Sequence, residues 1–118
     1  MSKRIIFISG VLLSFIIVSC QKDSGVEPFD YARDTPLWLK EKITVMSNDT
    51  THFYAMTKVY RYQWNAVFIY HISIPLSSCM YCELYDQDGN RMQISNDVML
   101  QHFLGTRTGE ILIWESKQ

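Results

Sequence analysis

A chain of 118 residues, 47% of them apolar, has material for one modest hydrophobic core and not for two domains. Eleven Lys and Arg against twelve Asp and Glu give a net charge of −1, with no run of basic residues. That balance excludes the electrostatic footprint of a nucleic-acid binder.

The first twenty residues read as an export signal. Lys3 and Arg4 form a short positive start, and Ile5 to Val18 is an apolar run of 14 residues broken only by Ser9, Gly10 and Ser14. A bilayer span takes about 20 residues, so this run has the length of a signal-peptide core. Ile17-Val18-Ser19-Cys20 then matches a lipobox: small and branched residues before a cysteine that becomes the mature N-terminus. The pattern predicts a lipoprotein signal peptide over residues 1–19, removed on export, and lipidation of Cys20. The alternative is an uncleaved anchor helix; the immediate change to Gln21-Lys22-Asp23-Ser24-Gly25 favours cleavage. Two or more acyl chains give stable anchoring where one gives marginal binding. The expected location is therefore the cell envelope, lipid-anchored to the outer membrane, with the membrane as partner through Cys20. Gln21-Lys22-Asp23 resembles the charged tag that sends some Bacteroidota lipoproteins to the outer face, which leaves both the periplasmic and the surface-exposed leaflet open.

Residues 20–34 read as a flexible tether, with Gly25 and Pro28 and no periodicity. Residues 35–118 read as a single small domain. Without Lys3 and Arg4, nine basic side chains face twelve acidic ones, a net charge of −3.

Thr35-Pro36-Leu37-Trp38 is a helix start, with Thr35 as cap and Pro36 at the first helical position, where no N–H partner is lost. Leu39, Ile43 and Met46 follow at spacings of four and three, predicting a helix over 36–47 with one apolar stripe. Residues 53–64 change to strand character: Tyr60, Tyr62 and Trp64 share one face, Val59, Arg61 and Gln63 the other. Asn65-Ala66 is a tight turn into the β-branched and aromatic run 67–74, which Pro75 ends. Residues 80–85 predict a third strand, Asp86 to Asn90 a hairpin turn with an Asp-Gly signal, and 91–94 a short fourth strand. Ser95-Asn96-Asp97 caps a second helix of about two turns, which Gly105 closes, and residues 110–115 predict a last strand. The predicted fold class is α+β: an antiparallel sheet of about four to five strands with one or two helices packed on one face.

Several short motifs recur together elsewhere. Pro36-Leu37-Trp38-Leu39, Val59-Tyr60-Arg61-Tyr62, Leu84-Tyr85-Asp86 with Gly89-Asn90, and Phe103 with Arg107, Glu110 and Leu112-Ile113-Trp114 stand here in an order that resembles short uncharacterised Bacteroidota lipoproteins. The resemblance covers roughly residues 35–115. It implies a fold and a location, and no activity. Two departures stand out: those relatives carry a Cys-Cys-Asp near Ser77-Ser78-Cys79, and a Gly- and Asp-rich loop where this chain has Gln93 to Met99.

Cys79-Met80-Tyr81-Cys82 is the one C-x-x-C. A redox enzyme places that motif at a helix N-terminus, where the dipole lowers the thiol pKa. Here it follows Pro75 and precedes a strand, without a βαβ pattern. In a regular strand the two side chains point to opposite faces, so a disulfide needs a bend at Ser78-Cys79. A structural disulfide, two separate thiols, a metal site and redox work all stay open. His52, His71 and His102 stand at no short spacing from the cysteines, so no metal is expected. Asp86-Gln87-Asp88-Gly89-Asn90 fails the EF-hand pattern, with Gly in the fourth position and no closing Glu, and reads as a turn. No nucleophile elbow, zinc-protease motif or phosphate-binding glycine loop is present, and no cofactor is implied. Glu83, Asp86, Asp88, Asp97, Glu110 and Glu115 are carboxylates without a spacing that selects a catalytic pair.

The aromatic ladder Tyr60, Tyr62 and Trp64, preceded by Tyr54, is the candidate binding surface. It is either buried under the helices or an exposed platform for a protein or a sugar. Trp114 is expected in the core. The leading functional expectation is a non-catalytic binding module that contacts an envelope protein or a glycan, and no nucleic acid. The alternatives are a thiol-redox or disulfide-bearing envelope protein using Cys79 and Cys82, or a hydrolase inhibitor working through the Pro75–Ser78 or Asp86–Asn90 loop.

Overall fold

The computed structural model describes residues 28–94 and 96–118. The expected signal peptide, Cys20 and the first part of the expected tether lie outside the described residues, as does Ser95 of the second cap. The elements run α1 (Tyr31–Asp34), α2 (Leu37–Ser47), β1 (Lys58–Trp64), β2 (Val67–Ser73), β3 (Leu84–Tyr85), α3 (Asp97–Thr106) and β4 (Thr108–Glu115). The four strands form one antiparallel sheet in the order β3-β2-β1-β4, an α+β fold.

The domain begins earlier than residue 35. The Asp30 carboxylate accepts from the Ala32 N–H at 2.9 Å and caps α1, and Arg33 Nη2 donates to the Pro28 carbonyl at 2.9 Å. The Arg61 guanidinium of β1 stands 4.9 Å from the Phe29 ring and 4.1 Å from the Phe68 ring, so Phe29 is seated on the sheet rather than part of a free tether.

Thr35 does not cap α2. Its side chain is buried with Oγ1 unpartnered, and its N–H closes α1 by donating to the Tyr31 carbonyl at 3.2 Å. Pro36 explains this, because the residue before a proline is pushed out of the helical region and into extended backbone. Pro36 itself therefore stands at the N-cap of α2, with no side-chain bond. The predicted stripe Leu39, Ile43 and Met46 is the buried face of that helix.

Strand β1 starts at Lys58 and not at residue 53, because His52 and Met56 both adopt positive φ and turn the chain between them. β1 and β2 pair residue for residue from Lys58↔Ser73 to Trp64↔Val67. Asn65 and Ala66 both have positive φ, the geometry of a two-residue hairpin turn. The third strand shrinks to Leu84–Tyr85, since Cys79 to Cys82 form a turn. The expected fourth strand is reduced to one bridge, Tyr85↔Arg91. Met92 and Ile94 turn instead onto the core.

Helices α2 and α3 serve opposite faces of the sheet, where both were expected on one. Leu39, Ile43 and Met46 of α2 pack with Val59, Tyr70, Ile72 and Tyr85. Phe103 of α3 packs with Tyr62, Trp64, Ile69 and Leu84 on the other side. The topology requires this of α3: β3 and β4 occupy opposite edges, and the connection between them crosses the face that α2 leaves free. Asn96 caps α3 by accepting from the Met99 N–H at 2.8 Å. The helix passes through Gly105 and ends at Thr106, one residue past the predicted stop.

Candidate binding groove

Along α2, Trp38, Glu41, Lys42 and Val45 follow at spacings of three, one and three, the stripe beside the buried one. Pairing β3 at the sheet edge brings Glu83 and Tyr85 up against this stripe, and the turn before β1 adds Tyr54. Together with Met46, Ile72 and Ile74 they line an open groove of 450 Å³. That volume lies in the range of small-ligand sites, about 300–1,000 Å³.

The groove has a fixed end and an adaptable side. Trp38 donates from Nε1 to the Gln87 carbonyl at 2.9 Å, and its ring meets Tyr70 edge-on at 5.7 Å and Tyr85 at 5.4 Å. The Tyr85 hydroxyl donates to Glu83 Oε2, which also accepts from Arg91 Nη2 at 2.8 Å. Burial, and then that carboxylate, push the Tyr85 phenol up from its ordinary value, so it stays protonated. Lys42 is exposed and flexible by nature, and its Nζ stands 5.0 Å from the centre of the Tyr85 ring.

The predicted ladder is not a platform. Tyr62 is 4% and Trp64 8% exposed, because α3 lies across them. Trp64 meets Phe103 edge-on at 5.2 Å and donates from Nε1 to Thr106 Oγ1 at 3.0 Å. The Tyr62 hydroxyl donates to Glu110 at 3.0 Å, and the Arg107 guanidinium covers its ring at 4.3 Å. Burial and the Glu110 bond push the Tyr62 phenol up to about 12. Tyr60 is half-buried between Tyr62 and His71. Of the two expectations for the ladder, burial under a helix is the one observed for Tyr62 and Trp64, and the exposed platform is not formed, because α3 covers that face of the sheet. Tyr54 alone of that group reaches the groove. Trp114 is partly buried against the α2-side core, as expected.

Cys79 and Cys82 are joined by a disulfide, with Cα atoms 5.5 Å apart. The turn they close is held from below by His71, whose Nε2 bonds the Met80 carbonyl at 2.8 Å while its ring stacks on Tyr81 at 5.0 Å. A carbonyl only accepts, so Nε2 carries the proton. The Asp86–Asn90 segment is a turn: Asp86 Oδ1 accepts from the N–H of Asp88 and of Asn90, each at 2.9 Å. Glu115 stands near Lys58 at 3.7 Å, and Glu110 accepts from the Tyr62 hydroxyl. Among the described residues no three His, Cys, Asp or Glu side chains gather as metal ligands, and no helix is long and apolar enough to cross a membrane.

The groove escapes a reading of the sequence because Glu41 and Lys42 look like solvated positions beside the core stripe. The one available signal is the helical spacing of Trp38 and Val45 with those charges. No protein-family model, no curated protein and no solved structure matches this chain.

Proposed function

We propose that this chain is a lipid-anchored protein of the cell envelope, held to the outer membrane through Cys20, and that its domain is a non-catalytic binding module. The working surface is the α2–β3 groove, and the occupant belongs to an envelope protein or a glycan. The observation that carries this reading is the convergence of Trp38, Tyr54 and Tyr85 with Glu41, Lys42 and Glu83 around one open 450 Å³ groove. Apolar walls with a few placed polar groups are the composition of ligand sites. The lipobox at Cys20, the resemblance to Bacteroidota lipoproteins and a disulfide suited to an oxidising compartment support the location.

The test places a photo-crosslinking residue at Val45, 65% exposed on the groove rim, or at Val98, 79% exposed on α3. In intact cells one near-stoichiometric adduct from position 45, and none from 98, is the expected result. Equal or absent adducts would end the groove reading. A Cys20→Ser variant should leave the membrane fraction; if it stays, the anchor is not Cys20.

A second reading, thiol–disulfide chemistry, is favoured by the exposure of both Cys79 and Cys82. It requires that one reduced thiol alkylates quickly at acidic pH, the mark of a lowered pKa. Equally slow alkylation of both would dispose of it.

A further inference from the structure

We infer that the α2–β3 groove is a seat for an aliphatic ammonium group, such as a lysine side chain, and that Lys42 fills the seat from within the chain. This rests on the groove being the binding surface and names what binds there. Three observations converge on it. First, the Tyr85 ring already receives an ammonium: Lys42 Nζ stands 5.0 Å from its centre, inside the ~6 Å reach of a cation–π contact. Second, Glu41 and Glu83 line the same groove and supply the complementary charge. Glu83 is held in place there by the Tyr85 hydroxyl and Arg91. Third, Val45, Met46, Ile72 and Ile74 offer apolar wall for a methylene stem. A cation with an apolar stem uses all three features. A neutral apolar ligand would make no use of Glu41, and an anion would meet Glu41 and Glu83 with like charge.

Lys42 is tethered to a solvent-exposed helix position by a four-carbon stem, so it can swing into water without disturbing the core. An incoming ammonium therefore competes with it for the Tyr85 face. Deleting the Lys42 charge should strengthen the binding of a cation, by vacating the seat and by removing a like charge beside it.

The experiment titrates the full chain, purified in detergent, with butylammonium chloride. Butanol serves as the neutral control and sodium chloride as the ionic one. The readout is the Trp38 indole N–H resonance, fixed by its bond to Gln87. Butylammonium should move it saturably and butanol should not. Lys42→Met should tighten binding roughly two- to fivefold, the size of one exposed cation–π contact. Glu41→Gln should weaken it. A parallel titration with a capped lysine peptide separates sources: much tighter binding identifies a protein side chain, equal binding a free amine. The absence of a saturable shift in Lys42→Met, with its melting temperature unchanged, would overturn the inference, as would equal binding of butanol. If position 45 still crosslinks a partner in that case, the groove reading stands and only the ligand class falls.

Discussion

The indole of Trp38 lies directly against Gly89: a Cβ at residue 89 would sit 2.9 Å from its ring carbons. Helix α2 is thus latched to the Asp86–Asn90 turn by a ring packed on bare backbone and by the Trp38–Gln87 hydrogen bond. The same latch sets one end of the groove. Gly89 also has φ +89°, where a side chain is strained whatever the space. Gly89→Ala should therefore destabilise the domain by about 2 kcal/mol or more, overpacking and left-handed strain acting together. Chemical denaturation measures it. Trp38→Leu in the same chain should recover part of the loss, and strict additivity of the two would contradict the contact.

The β1–β2 turn holds an alanine where the backbone asks for glycine. Ala66 has φ +66° and Asn65 φ +52°, the pattern in which Asn-Gly is favoured. A left-handed non-glycine residue costs about 1–2 kcal/mol. Ala66→Gly should recover about 1 kcal/mol and raise the melting temperature by about 4–8 °C. The register from Trp64↔Val67 onward should not change. A lower melting temperature would show that the unfolded-state entropy of glycine outweighs the relief.

Removing the ladder should unfold the protein rather than free a surface. Tyr62→Ala and Trp64→Ala each empty a site packed against Phe103, at about 3–5 kcal/mol for an aromatic-to-alanine change. Tyr62→Ala also removes the hydrogen bond to Glu110. Urea midpoints give the answer. A triple Tyr60, Tyr62 and Trp64 alanine variant that melts like the parent chain would return these rings to the surface.

The molecule is legible in its sequence where the signal is local. The β1–β2 hairpin is legible because alternating aromatic residues flank a turn dipeptide, and both signals are local. The α2 core stripe is legible because 39, 43 and 46 repeat with the helical period. Burial of the ladder is not local. It depends on α3 crossing from the β3 edge to the β4 edge, which follows from the strand order and not from any short motif. The groove is hidden for the same reason: Glu83 and Tyr85 meet Glu41 and Lys42 only through the edge pairing of β3. Strand geometry forbids the disulfide, and only the turn at 79–82 brings the two Cα atoms to 5.5 Å.

His71 gives stability a pH dependence with a definite sign. Its ring is buried between Tyr60 and Tyr81, and burial, aided by the Arg107 charge, lowers its pKa below the ordinary 6.5 despite the opposing bond to the Met80 carbonyl. The folded chain then binds fewer protons than the unfolded chain as pH falls from about 6.5. His71 therefore contributes full stability above that value. The contribution declines as pH drops towards the folded-state pKa and levels off below it. Denaturation midpoints between pH 8 and pH 5 should fall, before most carboxylates begin to titrate near pH 4. His71→Gln keeps a donor for the Met80 carbonyl but cannot titrate, so its midpoints should be flatter across the same window. Parallel pH profiles for the parent and His71→Gln would show that the imidazole is not the titrating group.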